Sequence, residues 1–178
     1  MKRILLIIGG GVAAYKALEL IRTLKKRGVG ARCILTEAGK QFVTPMSVAA
    51  LSGETVYDDL FSLTDEAEMG HIELSRSADL VVVCPATANL MARLTAGLAD
   101  DLASTALLAT DKPVLMAPAM NVRMWDHPAT RRNVETLRGW GVTVMEPDEG
   151  EMACGEYGPG RLPDPERIAD AVQAALLP

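Results

Sequence analysis

Apolar and polar positions along this chain fall into two kinds of block: short apolar runs and longer stretches with helical spacing. Lys2 to Ile8 is a nearly unbroken apolar run and reads as a strand. Val12 to Arg27 has apolar residues at helical spacing and stops near Gly28, so it reads as a helix. Ala31 to Thr36 is a second strand. Thr44-Pro45 looks like an N-cap followed by a first-turn proline, opening a helix to about Leu51. Thr55 to Tyr57 is a short strand, and the acidic stretch Asp58 to Gly70 reads as loop before a short helix, Ile72 to Arg76. The β-branched run Ala78 to Cys84 is a buried strand. Helical spacing returns over Thr87 to Ala96, Asp100 to Ala109 and Pro128 to Arg138, with strands at Pro113 to Ala117 and Val142 to Met145. Glu149 to Leu162 is rich in Gly and Pro and is expected to be a long mobile loop, a candidate lid. Pro165 to Leu177 closes the chain as a helix.

Strands alternating with helices imply a parallel sheet covered on both faces. The expected fold is therefore α/β, a single domain over residues 1–178, doubly wound and Rossmann-like or flavodoxin-like. Ligands of such folds bind beyond the carboxyl ends of the strands, where the unusual residues of this sequence fall.

Composition narrows the function classes. A formal charge of -5 gives no basic stripe for nucleic acid. The N-terminal apolar run is too short for a signal peptide, and no segment approaches membrane-spanning length. Three cysteines and two histidines, none at ligand spacing, argue against a metal site or a disulfide framework and fit a cytoplasmic protein.

Five segments carry candidate chemistry. Gly9-Gly10-Gly11-Val12 joins the first strand to the first helix; its free N–H groups suit a phosphate, and the alternative is a tight turn. Thr36-Glu37 ends the second strand. Its hydroxyl suits a ribityl chain or phosphate, or merely ends the strand. In Cys84-Pro85-Ala86-Thr87-Ala88-Asn89, proline is expected to end the ladder, Thr87 to cap a helix, and small residues to leave room for a flat ring. Cys84 and Cys33 read as buried apolar residues. In Pro118-Ala119-Met120-Asn121 with Met124-Trp125, Asn121 either meets a carboxylate or is only an N-cap, with the methionines and Trp125 in the core. Cys154, between small residues in the candidate lid, is either incidental or a proton donor or nucleophile. His127, before Pro128, reads as a capping residue, and His71 alone reads as structural.

In this order the segments resemble the homo-oligomeric flavin-containing cysteine decarboxylases, over nearly the whole chain. The most specific pieces are Gly70-His71-Ile72-Glu73-Leu74, Pro118-Ala119-Met120-Asn121 and Ala153-Cys154-Gly155. The resemblance implies FMN as cofactor and decarboxylation of the cysteine moiety of 4'-phosphopantothenoylcysteine in coenzyme A biosynthesis. It also implies a homotrimer or a dodecamer of trimers, alone or joined to phosphopantothenoylcysteine synthetase. By the same resemblance His71 is the base, facing a neighbouring subunit's flavin. Asn121 holds the substrate carboxylate and Cys154 is the proton donor. Gly10, Gly11, Val12, Thr36, Thr87, Ala88, Asn89, Leu90 and Ala119 surround FMN, and Lys16, Arg76, Met124 and Ala153 approach substrate. One departure is that many relatives carry Ser or Thr where this chain has Gly9 or Gly11, which bears on FMN affinity. A peptidyl-cysteine decarboxylase, a flavin prenyltransferase, a regulatory flavin-binding subunit and a plain dinucleotide-binding domain are the other readings of the fold.

Overall fold

The apolar runs become one parallel sheet in a computed structural model that describes residues 1–61 and 67–177. Its strands are β1 (Arg3–Ile8), β2 (Gly30–Leu35), β3 (Val56–Tyr57), β4 (Leu80–Ala86), β5 (Val114–Pro118) and β6 (Thr143–Val144), in the order β3-β2-β1-β4-β5-β6. The helices are α1 (Tyr15–Lys26), α2 (Pro45–Ser52), α3 (Ala67–Arg76), α4 (Ala88–Thr95), α5 (Leu102–Ala109), α6 (Val122–Asp126), α7 (Pro128–Gly139) and α8 (Pro165–Leu176). A separate hairpin is formed by β7 (Asp148–Glu151) and β8 (Tyr157–Arg161).

Both faces of the sheet are buried, which is why its strands are continuous apolar runs rather than alternating ones. On one face Ile4, Leu6 and Ile8 meet Leu20, Ile21 and Leu24 of α1 and Ile168 and Val172 of α8. On the other, Leu5 and Ile7 share a core with Leu74, Met91, Leu107, Trp125 and Leu137. The strand order reverses direction at β1 and β4, whose carboxyl ends therefore flank a crevice.

Local chemistry sets the helix ends. Thr44 and Ser47 form a reciprocal capping box ahead of Pro45, and Gly53, with φ of 76°, stops α2 in the left-handed region. His127 caps α7 through Nδ1, which accepts from the Ala129 N–H at 3.1 Å. Cys33 and Cys84 are buried, and burial pushes both thiols up to about 12. They behave as apolar core residues.

Four expectations change. Residues Glu149 to Leu162 are not a long loop: they hold most of the β7–β8 hairpin, with residues 152–156 as its tip. Glycine explains this, since Gly158 and Gly160 take φ values of 150° and 139° and let β8 lie against Val122 and the Met120 carbonyl. The helix bearing His71 starts at Ala67 rather than Ile72; residues 62–66 of the expected acidic loop lie outside the described residues. Pro85 does not end the ladder, because β4 resumes pairing at Ala86 with Pro118 after a register shift, and the Ala119 N–H donates to the Ala86 carbonyl. The first helix opens with a separate 3-10 turn, Val12–Ala14, and α1 proper starts at Tyr15.

Candidate active site

Beyond the carboxyl ends of β1, β2, β4 and β5 lies a cavity of about 830 Å³, closed on one side by the β7–β8 hairpin. This lies within the usual size range of cofactor and ligand sites, which runs to roughly 1,000 Å³. The turn after β1 contributes Gly10, Gly11 and Val12, and β2 contributes Thr36. The start of α4 contributes Thr87, Ala88, Asn89 and Leu90, and the turn after β5 contributes Ala119, Asn121 and Met124. Lys16 comes from α1, while Ala153 and Cys154 come from the hairpin tip. Every residue expected around FMN therefore lines one cavity. His71 and Arg76 are not among its lining residues; they sit on α3, which packs against α5.

The glycines of the first turn differ. A Cβ on Gly10 would lie 2.3 Å from the Ala38 Cβ and 2.7 Å from the Ala38 carbonyl carbon, so that residue must be glycine for the two loops to touch. A Cβ on Gly9 would lie 2.5 Å from the Pro85 carbonyl oxygen. Gly11 is extended, with φ of −178°, and meets nothing within 4 Å. The cavity thus has a bare backbone cradle at Gly11, which fits a ligand phosphate approaching N–H groups. A serine hydroxyl fits at position 11 and not at position 9. Gly10→Ala is expected to lose bound flavin and destabilise the fold by about 1–3 kcal/mol through overpacking. Gly11→Ser should keep the fold and bind FMN at least as tightly. Thermal melts and flavin titration of the two variants check this.

Hydrogen bonding shows which side chains remain free for a ligand. The Thr36 hydroxyl donates to the Ile8 carbonyl at 3.1 Å and accepts from the Gly39 N–H at 3.0 Å. It ties the ends of β1 and β2 together, so the bland reading of Thr36 describes most of its work even though it lines the cavity. The Thr87 hydroxyl oxygen accepts from the Leu90 N–H at 3.1 Å, capping α4, and keeps its own proton for a ligand. Asn121 caps a helix and also lines the cavity. Its Oδ1 accepts from the Met124 N–H at 2.8 Å, capping α6, which leaves the NH2 group as the donor at the cavity. Trp125 is core, 2% exposed, whereas Met124 is 45% exposed and lines the cavity rather than the interior. Cys154 is exposed, and its Sγ lies 3.8 Å from Glu156 Oε2.

Several cavity residues were not anticipated. Ala38 is the surface that Gly10 closes on, and Tyr15 opens α1 at the cavity mouth. Arg93 lies one helical turn beyond Asn89 on α4, a spacing that places both on one face and could have pointed to it. Its guanidinium is held by Asp100. Asp101 lines the wall while capping α5. Glu37 is taken by Lys40, whose ammonium is raised above its ordinary value first by Glu37 and then by Asp58. Among the described residues no cluster of His, Cys, Asp and Glu could hold a metal ion, and no helix is long and apolar enough to cross a membrane.

Comparison with known proteins adds relatives. A family model described as Flavoprotein matches residues 1–177. The coenzyme A biosynthesis bifunctional protein CoaBC of Escherichia coli strain K12 is 50% identical over 177 residues, 99% of this chain and 44% of that protein. The CoaBC of Bacillus subtilis strain 168 is 45% identical over 167 residues, 94% of this chain and 41% of that protein. The chain thus spans less than half the length of these curated relatives. A solved PPC decarboxylase cysteine-to-serine mutant, complexed with pantothenoylaminoethenethiol, has a TM-score of 0.84 at 32% identity, covering 97% of each chain. The FMN binding protein AtHal3 has a TM-score of 0.84 at 33% identity, covering 97% of this chain and 95% of that one.

Proposed function

The chain belongs to the Flavoprotein family, and on that premise we propose that it is an FMN-dependent decarboxylase acting on the cysteine moiety of 4'-phosphopantothenoylcysteine, giving 4'-phosphopantetheine for coenzyme A biosynthesis. The observation that carries this reading is a single cavity, at the crevice between β1 and β4, that gathers the glycine turn, the start of α4, Asn121 and Cys154. A solved relative named a PPC decarboxylase covers the chain almost end to end at 32% identity.

FMN fits the residues present. The bare Gly11 backbone suits its phosphate, and Thr87, Ala88, Asn89 and Ala119 suit the ribityl chain and ring. When bound, the flavin would accept a hydride from the carbon bearing sulfur and later return one, so the reaction needs no nicotinamide. The protein's own groups supply the rest. The Asn121 NH2 donates to the substrate carboxylate without adding a cation that would anchor its charge through CO2 loss. His71 takes the thiol proton; α3 is not part of the cavity lining, so in this reading His71 serves the cavity of a neighbouring copy, and the resemblance to the homo-oligomeric cysteine decarboxylases implies a homotrimer or a dodecamer of trimers as the working unit. Cys154, on the hairpin tip, returns a proton to the carbon that lost CO2, and the hairpin shields the intermediate from water. The setting is the cytoplasm, in keeping with three free thiols, and the partner activity is phosphopantothenoylcysteine synthetase.

The test is direct. Purified protein should be yellow, release FMN on denaturation and scatter light as a trimer or a multiple of it. A colourless protein that takes up no FMN, or an active monomer, contradicts the reading.

A further inference from the structure

Two arginines line the cavity, and their surroundings differ. Arg93 is held by Asp100. Arg161, on β8, has neither an ion pair nor a hydrogen bond from its side chain among the described residues. The hairpin's acids are engaged elsewhere: Asp148, its register partner, is taken by Arg167, and Glu156 faces Arg123. Glu151 shares the cavity wall but makes no ion pair with Arg161 among the described residues.

The posture of Arg161 is built into the hairpin. A Cβ on Gly150 would lie 2.7 Å from both Cδ and Nη1 of Arg161, so the guanidinium occupies room that only glycine leaves on β7. Gly150 is itself paired with Gly158, so neither strand puts a side chain there. The backbone is fixed as well. The Met120 N–H donates to the Gly160 carbonyl at 3.0 Å, and a Cβ on Gly160 would lie 2.3 Å from the Met120 carbonyl oxygen. Arg161 therefore follows a residue locked to the segment that carries Asn121, and the two side chains belong to one frame.

A guanidinium presents several donors in a planar fork, and a phosphate matches that fork. The proposed substrate has two anionic groups. Its carboxylate goes to Asn121 and the cofactor's phosphate to the glycine turn, which leaves the substrate phosphate without a partner. We infer that Arg161 recognises that phosphate and makes this cavity selective for a phosphorylated cysteine conjugate over unphosphorylated ones, peptidyl cysteines included. The inference rests on the decarboxylase reading above. Lys16 adds charge to the same cavity but no fork.

The test measures CO2 release from phosphopantothenoylcysteine and from pantothenoylcysteine by FMN-loaded wild type, Arg161→Met and Arg161→Lys, together with FMN affinity. Methionine keeps an apolar stem across Gly150 and removes the fork. Wild type should favour the phosphorylated substrate by roughly 10- to 100-fold in kcat/KM, the usual range for a charge-assisted hydrogen bond. Arg161→Met should erase that preference through KM, with kcat and FMN affinity held within a few-fold, and Arg161→Lys should recover part of it. Three results overturn the inference: no preference in wild type, equal slowing of both substrates by Arg161→Met, or FMN affinity falling in step with activity, which would assign the guanidinium to the cofactor. A wild type that releases CO2 from neither substrate overturns the decarboxylase reading and this inference together.

Discussion

Asn121→Asp is expected to lower kcat/KM by about a thousandfold or more while FMN stays bound and the fold keeps its stability, because like charges set against each other cost several kcal/mol. The reason lies in the two ends of one amide. Oδ1 accepts from the Met124 N–H and caps α6, a task that aspartate performs equally well. The NH2 group is the end left for a ligand, and aspartate replaces it with a negatively charged oxygen. The substitution thus keeps the cap and reverses the contact with a substrate carboxylate. Asn121→Ala removes both and should also cost about 1 kcal/mol of stability. Steady-state kinetics, flavin absorbance and a thermal melt of the aspartate variant check this. Near-normal turnover would mean that Asn121 is only a cap.

Cys154→Ser should slow formation of normal product by about a hundredfold or more, the range over which a positioned general acid acts. CO2 should still be released, since its departure does not need the thiol. What fails is return of a proton to carbon, because a hydroxyl is a far weaker acid than a thiol. The ene-thiol should then accumulate, two hydrogens lighter than the product, because the hydride removed in the oxidation would stay with the flavin and the proton would not reach carbon. Serine changes only a side chain on the exposed tip between β7 and β8, so the fold should not suffer. Rapid-quench mass spectrometry of the variant separates this from a general loss of activity. Normal product at the parent rate would make Cys154 incidental.

The sheet was legible because both its faces are buried: runs such as Ile4-Leu5-Leu6-Ile7-Ile8 have no other stable place in a protein of this size. Helix starts were legible where a side chain announces them, as at Thr44-Pro45, Thr87 and His127. The hairpin was not. Gly158 and Gly160 look like loop residues in sequence, yet they are there because β8 must come within backbone contact of Met120 and Val122, a tertiary demand with no local signature. The start of α3 was missed because the acidic stretch before it has no clear period. The expected residues on strand ends and helix starts line one cavity, where the topology of such a sheet places a ligand crevice. Thr36 illustrates the limit: composition could not tell that its hydroxyl is consumed by Ile8 and Gly39. Ala38 and Arg93 were missed because neither carries a motif; one is defined by what Gly10 touches and the other by sharing a helix face with Asn89.

The most direct measurement is mass spectrometry of the product, with CO2 quantified, after anaerobic incubation of the FMN-loaded protein with phosphopantothenoylcysteine. The account predicts 4'-phosphopantetheine and CO2 in equal amounts, with no nicotinamide added and the flavin oxidised again at the end. No CO2 from the FMN-loaded protein, or CO2 from a peptidyl cysteine but not from phosphopantothenoylcysteine, would contradict it.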